Sequence, residues 1–129
     1  MKKTSSESSK IGLRFDNTYA RLPKILSSHL FPVPVKIPKL IILNHLLAKE
    51  LGLDFSGLDD DGIASLFAGN LHPLGSKFIA QAYAGHQFGF FTMLGDGRAI
   101  LMGEHLTLNN TRVDIQLKGS GRTPYSRSG

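Results

Sequence analysis

Apolar residues in the first half of the chain recur at the spacing of a helix. After Pro38 they follow one another every three or four residues, at Leu40, Leu43, Leu47 and Leu51. This spacing places the leucines on one face of a helix, and Pro38 suits a first helical turn. Gly52 suits the end of the helix, because glycine tolerates the left-handed backbone often found there. The pattern therefore predicts a helix from Pro38 to Gly52.

A second, shorter helix is predicted after Asp59 or Asp60. Either carboxylate can cap the exposed amides of a first helical turn. Apolar residues then continue towards Gly69, at Ile63, Leu66 and Phe67. We therefore expect both helices to belong to the scaffold of the fold.

In the second half of the chain, glycines interrupt a run of apolar residues, at positions 85, 89, 95, 97 and 103. Glycine at this density favours strands and tight loops over helix. Ala99–Leu106 is predicted to be a strand, and in Arg112–Lys118 apolar and polar residues alternate as in a half-buried strand. Asn109 and Asn110 suit a turn between them. The sequence thus predicts a β-hairpin whose turn covers residues 107–111.

The N-terminal residues are predicted to be irregular. Residues 1–14 form a polar leader without the apolar core of a secretory signal, and we expect it to be disordered. From Phe15 to Pro38, four prolines remove backbone donors and favour extended backbone, with one helical turn within residues 19–30. The apolar segment over residues 40–53 is too short and too interrupted to span a bilayer. No membrane role is therefore expected.

These elements predict an α+β fold in which helices precede a glycine-rich β-hairpin. No internal repeat or linker divides residues 15–129, so we expect one structural unit after the leader at 1–14. The last eleven residues, from Gly119 to Gly129, are rich in turn formers and contain no element that would close a domain. We therefore expect residues 15–129 to form an incomplete domain.

The charge balance favours anionic partners. The 129 residues include 15 Lys and Arg against 10 Asp and Glu, a net charge of +5 at pH 7. Nucleotides, nucleic acids and acidic membrane surfaces all fit that charge. The sequence has no cysteine, which excludes disulfides and thiolate metal sites and makes the cytoplasm the expected location. The five histidines show no metal-binding spacing.

Two glycine-rich basic segments form the candidate site. Gly95, Gly97 and Arg98 precede the predicted hairpin, and Lys118 lies at its end. If the turn is centred near residue 108, antiparallel pairing returns Lys118 to Gly97 and Arg98. Glycines let backbone amides approach phosphate oxygens, and Lys and Arg add charge-assisted hydrogen bonds. The pattern predicts a phosphate-binding site at these four residues.

The order of these parts, a glycine-rich loop, a hairpin and a lysine, is also that of protein kinases. The chain has no G-x-G-x-x-G and no Walker A motif, however. Glycines that only form turns, together with a solvated Lys118, explain the local pattern equally well. The spacing alone leaves both interpretations open.

Other polar residues near the candidate site are assigned structural roles. Asp96 lies between two glycines and is expected to bond the backbone of its own turn. His86 is expected to be structural, and Arg122 and Arg127 are expected to be solvated. Hydroxyls without a visible activating base are offered by Thr123, Tyr125 and Ser126.

A second class of function, binding of single-stranded nucleic acid, rests on aromatic residues close to the basic ones. The aromatic residues are Phe88, Phe90 and Phe91. Phenylalanine at such glycine-spaced positions more often packs in a core, and a charge of +5 is modest for a nucleic-acid-binding module. We therefore expect these phenylalanines to be buried and no specific nucleic acid to be bound.

Four longer strings occur in the chain, FDNTY at 15–19, AQAYAGHQFG at 80–89, LGDGRA at 94–99 and QLKGSGRTPYSR at 116–127. Together they closely resemble the SelO family of kinase-like protein adenylyltransferases. The resemblance covers the chain from about Phe15 to Gly129. Among known families, it therefore favours a nucleotide-binding enzyme.

The resemblance implies a protein-kinase-like fold that holds ATP in a reversed orientation. AMP would pass to a Ser, Thr or Tyr hydroxyl of another protein, and diphosphate would leave. Gly95, Gly97 and Arg98 would contact ATP from a loop, and Lys118 would bind the nucleotide from the following strand. The catalytic Asp and the ligands for Mg²⁺ are expected beyond residue 129. The chain alone is therefore expected to be inactive, and a fragment that only binds nucleotide is the alternative.

Overall fold

The computed structural model describes residues 10–127, in which α-helices and an antiparallel sheet are combined. The elements are 3-10 helices at Tyr19–Arg21 and Lys24–Leu26, β1 (Ser27–His29), α1 (His45–Glu50), α2 (Asp60–Phe67), β2 (Ile79–Gln87), β3 (Phe90–Gly95), β4 (Ala99–Leu106) and β5 (Arg112–Lys118). The predicted α+β class is confirmed, and the sheet has five strands. No helix within these residues is long and apolar enough to cross a membrane.

The hairpin of β4 and β5 confirms the prediction for the second half of the chain. Both strands have the predicted bounds, and backbone hydrogen bonds made by the N–H and C=O of Thr107 close the turn. The turn is centred at residue 109 instead of 108, and a β-bulge between Leu101 and Gly103 shifts the register by one residue. Lys118 therefore pairs with Ala99, one residue beyond the partner that the symmetric turn predicted.

β2 is the strand that joins the two parts of the sheet. Its first residues pair with β1 and, at Ile79, with Leu101 of β4, whereas its later residues pair with β3. Phe88 and Gly89 connect β2 to β3 with positive φ angles of 53° and 81°, the backbone of a tight hairpin turn. The glycines predicted strands in this region, but the alternation needed to place β2 and β3 is missing from the sequence.

The prediction that the phenylalanines of this hairpin pack in a core is wrong. Phe88, Phe90 and Phe91 are 96%, 70% and 85% exposed. Because β4 pairs with β2 only at Ile79, the outer part of the β2–β3 hairpin is a two-stranded ribbon. In residues 10–127 its aromatic side chains therefore have no third strand beside them.

The two predicted helices differ in how well they match the structure. α2 begins as predicted, because the Asp59 carboxylate accepts a hydrogen bond of 2.8 Å from the N–H of Gly62. The helix predicted from Pro38 begins only at His45, where the Asn44 side chain caps it by accepting from the N–H of Leu47 at 3.0 Å. The predicted start is therefore wrong, since the Asn44 cap requires non-helical backbone before it.

The core lies between these helices and one side of the β4–β5 hairpin. Ile100 and Met102 of β4 and Leu117 of β5 are buried in one cluster with Ile63 and Leu66 of α2. The polar residues that alternate with the apolar ones along β5 are exposed, as predicted. Because Leu117 is buried in the core, the end of β5 that carries Lys118 is held in place.

Residues 10–14, assigned to a disordered leader by the sequence, lie against the sheet. Ile11 is buried, and its carbonyl accepts a hydrogen bond of 2.8 Å from the N–H of Asp54. The N–H of Arg14 donates to Nδ1 of buried His105 at 3.1 Å, and its carbonyl accepts from Leu106 at 2.8 Å. These contacts correct the prediction for residues 10–14, while residues 1–9 lie outside the described part of the chain.

The FDNTY string at residues 15–19 fixes the middle of β4. Asn17 accepts a hydrogen bond of 3.0 Å from the N–H of Glu104, and Thr18 and Tyr19 bind the Glu104 carboxylate. A Cβ on Gly103 would lie 2.7 Å from the amide oxygen of Asn17, which requires glycine there. One of the strings that carry the family resemblance is thus structural.

Candidate nucleotide site

A cavity of about 640 Å³ opens where β3 ends, β4 begins and β5 ends. All four residues predicted from the sequence line it: Gly95, Gly97, Arg98 and Lys118. A neighbouring cavity of about 730 Å³ shares three of them and extends to Gly121 and Arg122. The structure therefore brings together residues that lie far apart in the sequence.

The positions of these residues follow from strand pairing. Gly95 ends β3 and pairs with Ala82 of β2, whereas Lys118 ends β5 and pairs with Ala99 of β4. The N–H of Gly119 donates to the carbonyl of Arg98 at 2.8 Å, which extends the hairpin ladder to the cavity. Two separate hairpins thus meet at one site.

Arg98, Lys118 and Arg127 supply positive charge to both cavities, and all three side chains are exposed. Within residues 10–127 none of the three is paired with a carboxylate. The one carboxylate among the described lining residues is Asp96. The site can therefore offer several charge-assisted hydrogen bonds to an anion.

Asp96 bonds a neighbouring strand, which corrects the prediction that it bonds its own turn. Its carboxylate accepts a hydrogen bond of 2.9 Å from the N–H of Gln81, and its own N–H donates to the Gln81 carbonyl at 2.9 Å. Asp96 thereby completes the pairing of β2 with the loop between β3 and β4. Its role is to hold that loop in place.

The C-terminal residues 123–126 cover the other side of this loop. The Thr123 hydroxyl donates to the carbonyl of Asp96 at 2.5 Å, and the Ser126 hydroxyl donates to the carbonyl of Gly97 at 2.6 Å. The Tyr125 ring lies over Gly95. The sequence did not predict these contacts, because the hydroxyls were considered only as possible nucleophiles. The signal was the Thr-Pro-x-Ser spacing, which is typical of a turn closed by its own side chains.

The remaining residues named from the sequence lie at the edges of the site. Arg122 lines the second cavity and Arg127 lines both. His86 is exposed on the β2–β3 hairpin, and its ring lies 5.2 Å from that of Phe91 between centroids. Gln87, one residue further along β2, lines the first cavity.

The described residues contain no group of three or more His, Cys, Asp or Glu side chains that could hold a metal ion. Asp96, the acidic residue in the lining, has one carboxylate oxygen bonded to the backbone of Gln81. The site offers the backbone of its glycines and the cationic side chains of Arg and Lys. That arrangement suits an anion with several oxygens, such as a polyphosphate.

The sequence is similar to proteins whose names describe nucleotide transfer. It is 64% identical over 119 residues to the protein nucleotidyltransferase YdiU of Pelagibacter ubique, a match that covers 92% of this chain. The relatives of the same name from Anoxybacillus flavithermus and Nitrosococcus oceani are 63% and 58% identical, over 89% and 98% of this chain.

This chain spans about a quarter of the length of the curated relatives it matches, with 25%, 24% and 26% of those three proteins covered. The profile of the family described as Protein adenylyltransferase SelO matches residues 9–129. The match includes both hairpins and every residue of the cavity lining. The chain therefore belongs to the SelO family.

Proposed function

We propose that this chain is the ATP-binding part of a protein nucleotidyltransferase that transfers AMP from ATP to Ser, Thr or Tyr hydroxyls of other proteins. The observation that carries the proposal is the cavity that Gly95, Gly97, Arg98 and Lys118 line together. The names of the relatives add nucleotide transfer, which is the coarser part of the proposal. The cytoplasm remains the expected compartment.

In this proposal the cations bind the phosphates of ATP. Lys118 ends β5 and Arg98 directly precedes β4, the strand paired with β5, so both can reach one phosphate chain. Their charges are free of carboxylates within residues 10–127, which leaves their donors available for phosphate oxygens. Tyr83 and Leu94, on the same lining, offer apolar surface to the nucleoside.

The order of the parts supports a kinase-like fold for the whole protein. A glycine-containing loop at residues 95–98 precedes β4, and a lysine follows at the end of β5. In protein kinases the phosphates lie between such a loop and such a lysine. A kinase-like fold is therefore proposed on the order of the parts and on the resemblance.

The proposed transfer is a substitution at the α-phosphorus. The acceptor oxygen forms a bond to the α-phosphorus of ATP, and the bond from that phosphorus to the oxygen that bridges the α- and β-phosphates breaks, so that diphosphate leaves with this oxygen. The hydroxyl proton passes to a base. Mg²⁺ would neutralise the phosphate charge, but the described residues do not offer a set of ligands that fits it. No step is assigned to Mg²⁺ on this chain.

The experiment uses a completed protein, in which this chain is followed by the part of the Pelagibacter ubique relative beyond the match. This protein is incubated with ATP labelled at the α-phosphate, Mg²⁺ and a mixture of proteins. We expect label on protein hydroxyls, and ATP labelled at the γ-phosphate should leave none. Label transferred from the γ-phosphate instead would show a kinase and contradict the proposal.

A second candidate function, binding of single-stranded nucleic acid, gains support from the exposed Phe88, Phe90 and Phe91. The cations at the cavity are Arg98 just before β4, Lys118 at the end of β5 and Arg127, whereas none of these three rings lines either cavity. We therefore expect only weak, salt-sensitive binding of a single-stranded oligonucleotide. Tight binding at physiological salt, measured by fluorescence anisotropy, would favour this function over the first.

A further inference from the structure

We infer that residues 123–126 act as a clasp that positions the backbone of the glycine loop, residues 95–98, for phosphate binding. Tyr125 and the hydroxyls of Thr123 and Ser126 are its positioning groups. In this inference Gly95 and Gly97 are glycines because the clasp occupies the space that their side chains would need. The part that concerns phosphate rests on the proposed function, whereas the steric part does not.

The backbone angles exclude the usual reason for glycine in a loop. Seven glycines of residues 10–127 have positive φ, but Gly95 and Gly97 are not among them. A left-handed backbone therefore does not explain why these two residues are glycines. The explanation must come from what surrounds them.

The clasp fills the space beside both glycines. A Cβ on Gly95 would lie closer than 3.0 Å to three carbons of the Tyr125 ring. A Cβ on Gly97 would lie 2.8 Å from the backbone oxygen of Tyr125 and 3.2 Å from the Cα of Ser126. The first overlap involves a side chain and the second involves backbone. This difference makes the two positions separable by mutation.

The hydroxyls of the clasp fix the peptide groups of the loop. Thr123 binds the carbonyl of Asp96 and Ser126 binds the carbonyl of Gly97. In a planar trans peptide the C=O and the following N–H point in opposite directions, and the described residues contain no cis peptide. The N–H groups of Gly97 and Arg98 therefore point away from the clasp.

These two N–H groups have no acceptor among residues 10–127. Both belong to residues that line the two cavities, and Tyr125 and Ser126 of the clasp each line one of them. Consecutive backbone amides without an internal acceptor can form an anion-binding arrangement. The clasp thus leaves two amide donors free for the phosphates, next to the Lys118 and Arg98 cations.

Hydrogen bonds within the clasp and to β1 hold it in place. The Thr123 N–H donates to the Ser126 hydroxyl at 2.8 Å, and the Ser126 N–H donates to the Thr123 carbonyl at 3.0 Å. The Tyr125 hydroxyl lies 3.3 Å from that of Ser28 on β1. Thr123 is buried, so water does not compete for its hydroxyl. The loop is therefore held between β2, through Asp96, and this clasp.

The test is a double-mutant cycle in the completed protein, with ATP affinity and the unfolding midpoint measured for each variant. We expect Gly95→Ala to weaken ATP binding about tenfold and to lower the midpoint, because the added methyl group meets the ring of Tyr125. Adding Tyr125→Ala should remove that conflict, so the double variant should be no worse than Tyr125→Ala alone. If the losses in ATP affinity of the two single variants simply multiply in the double variant, the steric explanation is wrong.

Gly97→Ala is the matched control, because its overlap is with the backbone of Tyr125. Tyr125→Ala should therefore not rescue Gly97→Ala. Rescue at position 97 equal to that at position 95 would show a general loosening of the loop and contradict the clasp.

The hydroxyl contacts are tested with Thr123→Val and Thr123→Ser. Valine keeps the shape and removes the hydrogen bond to the Asp96 carbonyl, so ATP affinity should fall about fivefold. Serine keeps the hydroxyl and should restore the affinity. Equal affinity for both variants at a temperature where both are folded would overturn the positioning role. If the wild-type protein binds no ATP, the proposed function and the positioning role both fail, and the unfolding midpoints of the cycle still decide the steric part.

Discussion

The Glu104 carboxylate accepts a hydrogen bond of 2.6 Å from the Thr18 hydroxyl, 86 residues earlier in the chain. Its other oxygen accepts from the N–H of Tyr19 at 2.7 Å. The guanidinium of Arg112 lies 3.8 Å from the oxygen that Thr18 binds. Glu104 is 6% exposed, so these donors replace the water that a carboxylate needs. This residue therefore ties the FDNTY string to the middle of β4.

We expect Glu104→Gln to destabilise the completed protein by about 1–3 kcal/mol. The amide nitrogen of glutamine cannot accept a hydrogen bond, so Thr18 or Tyr19 would face another donor. Urea unfolding measures the loss. Glu50→Gln, the same change at an exposed carboxylate on α1, is the control and should be nearly neutral. Equal effects of the two changes would show that the Glu104 contacts contribute nothing specific.

Asp16 connects Arg112 and Arg21 at the surface, with N to O distances of 2.7 and 2.9 Å. Hydrogen bonds from Arg112 and then Arg21 hold the pKa of Asp16 below its ordinary value of 3.8. The folded chain therefore binds this proton less tightly than the unfolded chain. The contribution of Asp16 to stability is fully present above about pH 4 and is lost as the pH falls through the lowered pKa.

Asp16→Asn should therefore lower the melting temperature at neutral pH but have a shrinking effect as the pH falls below about 4. The effect at pH 7 should be small, because both ion pairs are partly exposed. Melting curves of both proteins between about pH 7 and about pH 2 measure the difference. A difference that widens on acidification would contradict this assignment.

Phe88 and Phe78 are the same residue type in opposite environments, with 96% and 5% of their surface exposed. We expect Phe78→Ala to cost about 3–5 kcal/mol, since it empties part of the core. Phe88→Ala should change the stability by less than about 0.5 kcal/mol. Urea unfolding of both variants of the completed protein checks the contrast. A large loss for Phe88→Ala would mean that its ring packs in the completed protein.

These two phenylalanines also show what the sequence could and could not predict. The β4–β5 hairpin was predictable because alternation and turn residues are local signals, and Ala99 and Lys118 follow from them within one residue. The exposure of Phe88 could not be predicted, because it depends on how far the pairing of β4 with β2 extends along β2. That distance is set by tertiary packing and leaves no mark in the local pattern.

The candidate site also has a part that the sequence predicted and a part that it did not. The return of Lys118 to the neighbourhood of Gly97 and Arg98 was predictable from spacing, because a hairpin returns the chain to its starting point. The contacts of Asp96 with Gln81 and of Ser126 with Gly97 join residues 15 and 29 positions apart, the first through two hydrogen bonds and the second through one. Such bonds depend on the final positions of several loops. Residue types in a sequence do not specify them.

Lys118→Ala should weaken ATP binding by the completed protein by roughly 1.5–3 kcal/mol, the usual value of a hydrogen bond to a charged group. The expectation rests on the position of Lys118 in both cavities, next to Arg98. Calorimetric titration with ATP and Mg²⁺ measures the affinity. Lys49→Ala, at an exposed lysine on α1, is the control. Unchanged affinity in Lys118→Ala would remove this lysine from the site.

The isolated 129-residue chain should transfer no AMP even where it binds ATP. Transfer of a phosphoryl-type group requires metal ions that neutralise charge and a group that accepts the proton of the nucleophile. The described residues supply cations and amides, but no cluster of metal ligands lies among residues 10–127. Asp96, the carboxylate in the cavity lining, already bonds Gln81.

The measurement compares the isolated chain with the completed protein, using ATP labelled at the α-phosphate, Mg²⁺ and mixed protein substrates. Only the completed protein should label protein, and Lys118→Ala should reduce that labelling. Circular dichroism of the isolated chain must show the β-structure expected from its five strands. The absence of labelling then reflects missing catalytic groups and not an unfolded chain. Labelling by the folded isolated chain, abolished by Lys118→Ala, would place catalytic residues within these 129 positions.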